Sequence, residues 1–209
     1  MKNIKSILLI GLLVLFLISS GKQPISHGLP EGWIIAGNHP ESYKIATDSS
    51  ITKSGNYSMT IQSLEDKIEG FGNFVQQCSP DKFSGKRIRM SGYIKSEDVT
   101  NWAGFWVRVN VDSIVVSFDN MHDCKINRSV TGTTDWTKYE IVVDVPTNAT
   151  MISFGTLLAG TGQIWFDNLK FEIVDKTIET TGISRECNIQ DARKPQGLIT
   201  EPSNLDFEK

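Results

Sequence analysis

Cysteine is scarce in this sequence, with 3 in 209 residues, and no two of them form a C-x-x-C pair. The spacing of Cys78, Cys124 and Cys187 matches no zinc pattern, and the nearest histidine is His122. An oxidising compartment would allow a single disulfide among them and leave one thiol over, with the pairing open. Cys78 ends an apolar run and reads as a small buried hydrophobe. Clustered charge is missing as well. The 21 basic and 24 acidic residues are interspersed and give a net charge of -3. A phosphate-binding surface needs grouped Lys and Arg, so nucleic acid is excluded as an expected partner.

Catalytic signatures are also absent. There is no G-x-S-x-G, H-E-x-x-H, P-loop, EF-hand loop or G-x-G-x-x-G following a strand. Glu97 and Asp98 read as a strand-end turn, since a glycosidase pair is defined by separation in space and not by sequence. His122, Asp123 and Cys124 share a polar segment, but no second histidine stands nearby to complete a metal or nucleophile site. These absences point to binding and not to catalysis. Sustained helical periodicity is lacking too, which leaves strands as the building material.

At the N-terminus Lys2 and Lys5 precede an apolar run from Ile7 to Ile18, followed by Ser19, Ser20 and Gly21. The pattern predicts a cleavable signal peptide over 1–21 and an exported protein, with an uncleaved membrane anchor as the alternative. The run falls short of the roughly 20 residues that span a bilayer. No membrane span is expected in the mature chain. Residues 22–30 read as a linker.

From Trp33 to Val174, short β-rich runs alternate with Gly, Pro, Asn, Asp and Ser. The expected strands are Tyr43–Thr47, Tyr57–Gln62, Phe71–Cys78, Arg87–Lys95, Gly104–Asn110, Ile114–Phe118, Trp136–Val145, Met151–Leu158 and Gln163–Val174. About nine strands at this spacing predict an all-β jelly-roll sandwich of two antiparallel sheets over 31–174. Asp112 and Ser113 mark a hairpin tip, and Asp167 and Asn168 mark a phase switch that a bulge would explain. Trp33, Trp136 and Trp165 are assigned to the core. Residues 175–209 are expected to form a mostly irregular tail, with 204–207 able to return as a short strand.

Alternation predicts which side chains share a face. Arg89, Tyr93, Trp106, Arg108, Asn110, Ser117 and Asp119 fall opposite the apolar positions of their strands. On one sheet face they would form a polar surface with aromatic rings for stacking on a sugar and hydrogen-bonding groups for its hydroxyls. The alternative is that Trp106 packs under a loop and the charges are only solvated.

Four segments carry a family resemblance. Gly160-Thr-Gly-Gln-Ile-Trp-Phe-Asp-Asn-Leu-Lys-Phe-Glu-Ile-Val174, Thr133-Thr-Asp-Trp-Thr-Lys-Tyr-Glu-Ile141, Gly85-Lys-Arg-Ile-Arg-Met-Ser-Gly-Tyr-Ile-Lys95 and Pro30-Glu-Gly-Trp33 stand in the order found in one fold family. They resemble the galactose-binding-like jelly rolls of carbohydrate-binding modules in families four, nine and twenty-two. An uncharacterised bacterial branch of these proteins is the most similar in wording. The resemblance implies a non-catalytic module that binds a carbohydrate or surface glycan through one sheet face, with no required cofactor. The opening "N-x-x-F-E" strand of that family is absent before Trp33, but Asn204-Leu-Asp-Phe-Glu208 carries the pattern at the C-terminus. By resemblance, Glu208 and Asp167 would meet at a structural Ca²⁺, a cation that takes six to eight oxygen ligands. Two other classes remain open. A cell-surface structural or protein-interaction domain should expose an apolar patch. A jelly-roll lyase or hydrolase should gather perturbed carboxylates or His in a cleft.

Overall fold

The computed structural model describes residues 25–123, 125–189 and 192–209. The signal segment expected over 1–21 and Cys124 lie outside the described residues. The strands, in chain order, are β1 (Ile25–His27), β2 (Trp33–Gly37), β3 (Tyr43–Asp48), β4 (Ser58–Ser63), β5 (Phe71–Cys78), β6 (Arg87–Val111), β7 (Ile114–Asp119), β8 (Val130–Asp144), β9 (Met151–Ala159), β10 (Gln163–Val174) and β11 (Ile183–Ser184). No helix among the described residues is long and apolar enough to cross a membrane.

Strand β6 organises the sandwich. It runs for 25 residues. Its first part pairs with β10 and β8, and its second part with β9 and β7. The first sheet is therefore β1-β3-β4-β10-β6-β8, and the second is β2-β5-β9-β6-β7-β11. β1 lies parallel to β3, while the other ladders are antiparallel. The two expected runs Arg87–Lys95 and Gly104–Asn110 are thus one continuous strand that passes from sheet to sheet. The intervening residues pass through a series of register shifts opposite β8, with Asp98 at φ 50°.

The core between the sheets follows the alternation. Ile88, Met90 and Ile94 from the first part of β6 and Phe105, Val107 and Val109 from the second all face inward. Trp33, Phe74, Phe154, Phe166 and Phe207 join them there. Trp33 stacks on Phe74 at 4.8 Å, and Phe207 meets Phe166 edge-on at 5.4 Å. Such aromatic pairs add to the apolar area they remove from water. The bulge expected at Asp167 and Asn168 is present, with Asn168 at φ 53° and a register shift between Asp167 and Lys170.

Several expectations are corrected. Residues 25–27, assigned to the linker, form β1. Trp136 is half-buried outside the core, and Trp165 is buried on the outer side of the first sheet, where its N–H donates to Asp48 Oδ2. Residues 204–207 do not form a strand, yet they are not loose either. Phe207 is 2% exposed, Leu205 O accepts from Leu169 N–H, and the Trp33 indole donates to Ser203 O and Asn204 O. The C-terminus closes the sandwich with side chains and single hydrogen bonds in place of a ladder. Cys78 and Cys187 are free thiols, and burial pushes the Cys78 thiol up to about 12.

Candidate functional site

The predicted site residues divide among three places. Arg89 and Tyr93 project from the first part of β6 on the outer side of the first sheet. There Arg89 pairs with Glu172 at 3.0 Å and Glu140 at 3.6 Å, and Lys53 Nζ lies 4.7 Å from the Tyr93 ring centroid. Trp106, Arg108 and Asn110 project from the second part of β6, on the outer side of the other sheet. Opposite sides of a sandwich cannot form one surface, so the crossing of β6 separates these two groups.

Ser117 and Asp119 do not join either group. Asp119 stands opposite Val107 and Ser117 opposite Val109, and cross-strand partners point the same way. A register shift then leaves Val116 as an extra residue before Val115 meets Asn110. A single bulged residue inverts the facing of the rest of its strand, which turns Ser117 and Asp119 inward. Asp119 is fully buried and bound by Arg128 at 2.6 Å, and Ser117 Oγ donates to Asp144 O.

The outer side of the second sheet holds the arrangement with the most chemical potential. Its outward positions are Ile34 and Ala36 on β2, Phe71, Asn73, Val75 and Gln77 on β5, and Met151, Ser153, Gly155, Leu157 and Ala159 on β9. β6 adds Trp102, Gly104, Trp106, Arg108 and Asn110, β7 adds Val115 and Phe118, and β11 adds Ile183. Trp106 lies flat across this surface. It stands opposite Gly155, and its indole N–H reaches over that glycine to Asn73 Oδ1 at 2.9 Å. A Cβ at position 155 would sit 2.1 Å from Phe74 O and 3.2 Å from the indole nitrogen. Glycine therefore keeps β5 and β9 close and lets the ring lie down.

Trp106 is only 7% exposed and packs with Val75, Leu157 and Ala159. It forms the floor of the site and not a free stacking platform. The more accessible ring is Trp102, which stacks with His122 at 4.6 Å between centroids and 9° between planes. Arg108 sits 5.9 Å from the Trp106 ring centroid, and its guanidinium makes no hydrogen bond or ion pair with another described residue. Arg108 Nε and Asn110 Oδ1 are both buried without a protein partner. A buried polar atom without a partner costs about 1–3 kcal/mol, which calls for an explanation.

Sequence reasoning does not reach Asn73 or Gly155, and it weighs His122 only as a metal or nucleophile candidate and not as the ring partner of Trp102. The first two lie on strands whose outward positions are readable from alternation, but only the order of strands in the sheet places them beside Trp106. His122 reads in the sequence as part of a polar segment with Asp123 and Cys124, and its ring partner Trp102 is distant along the chain.

Asp167 and Glu208 both grip the loop between β3 and β4. Asp167 Oδ2 accepts from Lys53 N–H at 2.9 Å and Ser54 N–H at 2.8 Å, and its Oδ1 accepts from Asn168 N–H. Glu208 Oε1 accepts from Asn56 N–H at 2.7 Å and Tyr57 N–H at 3.0 Å, while Oε2 accepts from Asn56 Nδ2. Burial raises the Asp167 carboxyl above its ordinary value, and the Tyr57 and Asn56 N–H groups lower that of Glu208. These donors do not fit a calcium shell, which needs converging oxygens and not N–H dipoles. Among the described residues no group of three or more His, Cys, Asp or Glu gathers for a metal. The two carboxylates act here as clamps on the loop.

No protein-family model matches the chain. A curated relative, the uncharacterised HTH-type transcriptional regulator YbfP of Bacillus subtilis (strain 168), is 38% identical over 181 residues, covering 86% of this chain. The chain spans 57% of that protein's length. Among solved structures, the tandem CBM22-1-CBM22-2 domain of Paenibacillus barcinonensis Xyn10C superposes with a TM-score of 0.51 at 14% identity, over 70% of this chain and 42% of that one. The enzymatically active domain of tailspike protein 4 from bacteriophage CBA120 gives a TM-score of 0.50 at 15% identity, over 69% of this chain and 20% of that one. At such identities the likeness is one of fold alone. The chain is an all-β jelly-roll sandwich of the kind found in carbohydrate-binding modules.

Proposed function

We propose that this chain is a non-catalytic recognition module that binds a carbohydrate on the outer side of its second sheet. The observation that carries the reading is the pair of buried, unpartnered polar atoms, Arg108 Nε and Asn110 Oδ1, beside the Trp106 floor and the Trp102–His122 stack. Sugar hydroxyls both donate and accept, so one ring can satisfy an orphan donor and an orphan acceptor together. A pyranose also presents an apolar face to an aromatic ring. The fold shared with the CBM22-1-CBM22-2 tandem domain supports this reading. Export, expected from the N-terminal run, belongs to the same proposal, and fractionation of the source cells with an antibody to the sandwich tests it.

A second reading is favoured by the Bacillus subtilis relative. In it, the sandwich is the sensory part of a regulator and the same face takes a small effector. Both readings need ligand on the second sheet. A glycan-array screen of the full chain, with Trp106→Phe as the paired variant, tests the first. Binding that weakens with Trp106→Phe, in a protein folded by circular dichroism, supports it. An array without binding turns the assignment to a soluble effector or a protein partner.

A further inference from the structure

We infer that the ligand of this face carries a carboxylate, and that its class is an acidic saccharide built from uronic acid residues. The inference rests on the carbohydrate-binding reading and narrows it. Among the described outward strand positions of the second sheet, Arg108 is the single charged side chain and none is Asp or Glu; the acidic group beside the Trp102–His122 stack is the exposed Asp123, whose Oδ1 lies 4.0 Å from His122 Nε2. A half-buried guanidinium normally gains a carboxylate or carbonyl partner, because its donors lose water on burial. Arg108 gains neither and keeps a buried Nε–H unbonded. Elsewhere the same molecule pairs its arginines readily, as at Arg87 with Asp144 and Arg128 with Asp119.

Asn110 supplies the complementary need. It is 6% exposed, and its buried Oδ1 calls for a hydrogen-bond donor. Residues two apart on a strand are separated by about 7 Å and project to the same side. A ligand that satisfies both must offer an acceptor, favoured as an anion, at Arg108 and a hydroxyl at Asn110 over that span. One uronic acid ring holds a carboxylate and several hydroxyls on a frame of this size. The Trp106 indole below Arg108 holds the guanidinium in place by its face, and Asn73 fixes that indole.

Affinity electrophoresis and calorimetry of the full chain, with oligogalacturonate, its methyl ester, neutral galactan and a sulfated galactan as probes, provide the test. The expected result is binding of oligogalacturonate at least tenfold tighter than of the methyl ester, weakening with salt. Arg108→Gln should abolish that preference, and Arg108→Lys should restore only part of it, because an ammonium lacks the planar fork. Arg89→Gln, on the opposite sheet, should leave it intact. The ester comparison uses the unaltered protein, so it stands even if an Arg108 variant fails to fold. Equal binding of acid and ester would overturn the carboxylate inference and leave the carbohydrate reading standing. Preference for the sulfated probe alone would overturn the uronate assignment. No binding of any saccharide would overturn both readings.

Discussion

The outer sides of the two sheets are built from the same strand, β6, and have opposite characters. On the first sheet the charges close on one another. Arg87 donates to both carboxylate oxygens of Asp144 at 2.9 and 2.8 Å, Arg89 lies between Glu140 and Glu172, and Lys95 meets Asp135 at 3.1 Å. The loop between β3 and β4 folds over this side, held by Asp167, and Asp48 takes the Trp165 N–H. On the outer side of the second sheet one arginine stands among neutral side chains, and two buried polar atoms, Arg108 Nε and Asn110 Oδ1, are unanswered, while a third on that sheet, Thr156 Oγ1, faces inward. The partly exposed pairs of Arg89 and Lys95 contribute little stability, typically about 0–1 kcal/mol, and with the bidentate Arg87–Asp144 pair they make the first side a covering that satisfies itself. Unanswered buried atoms cost stability, and a surface that retains them is explained by what it binds.

The sharpest way to break this comparison is to raise the floor of the second side. Gly155→Val would place a branched side chain against the Phe74 carbonyl, and its Cβ alone would lie 2.1 Å from that oxygen. Overpacking of this kind costs about 3 kcal/mol. Urea unfolding should show a loss of that size. An unchanged midpoint would mean that β5 and β9 part easily and that the glycine does not impose the flat indole.

A smaller effect is expected from Trp106→Phe, which keeps a ring over Gly155 and removes the indole donor. Asn73, 8% exposed, would then hold a buried Oδ1 without its partner, at a cost of about 2 kcal/mol. Combined with Asn73→Ala, the loss should be less than the sum of the two single losses, because both remove one hydrogen bond. Strict additivity in urea unfolding would show that the bond contributes nothing. On the first side, Arg89→Gln should change stability by less than about 1 kcal/mol and leave glycan retention unaltered. A loss of retention there would erase the distinction between the two sides.

The fold is legible in the sequence where local pattern and pairing agree. Phe71–Cys78 and Gln163–Val174 are strands over their whole expected length, because β-forming residues dominate them and turn residues bound them, even though the second changes phase at the Asp167–Asn168 bulge. The candidate site is legible only in part. Trp106, Arg108 and Asn110 follow from alternation along one run. That Arg89 and Tyr93 face the other way depends on β6 crossing between sheets, which no local pattern encodes. That Ser117 and Asp119 turn inward depends on Val116, a valine like any other until its register is known. The C-terminal pattern at 204–208 does return to the sandwich, as its residues suggest, but without a strand. Its backbone is irregular because Asn204 and Phe207 adopt positive φ of 47° and 59°, which interrupts a ladder.

Acid should separate the two sides most gently. Arg87 lowers the carboxyl of Asp144 by hydrogen bonding, and the Tyr57 and Asn56 N–H groups lower that of Glu208. A group with a depressed folded pKa adds stability that is present above its unfolded value, near about 4, and lost as pH falls through the folded one. Asp167 acts in the opposite sense. Its folded value is raised by burial, so its contribution is largest below the unfolded value and declines as pH rises through the folded one. Glu208→Gln should therefore flatten the acid limb of stability measured by urea midpoint, and Asp167→Asn should remove the opposing slope. Both groups lie over the first sheet, and the described outward strand positions of the second hold no carboxylate. Neither variant should change how ligand retention depends on pH, which would track the acid on the ligand itself. If Glu208→Gln moves the stability limb and the retention profile together, the two sides are coupled through the sandwich, and the division drawn between a self-satisfied covering and a receptive face fails.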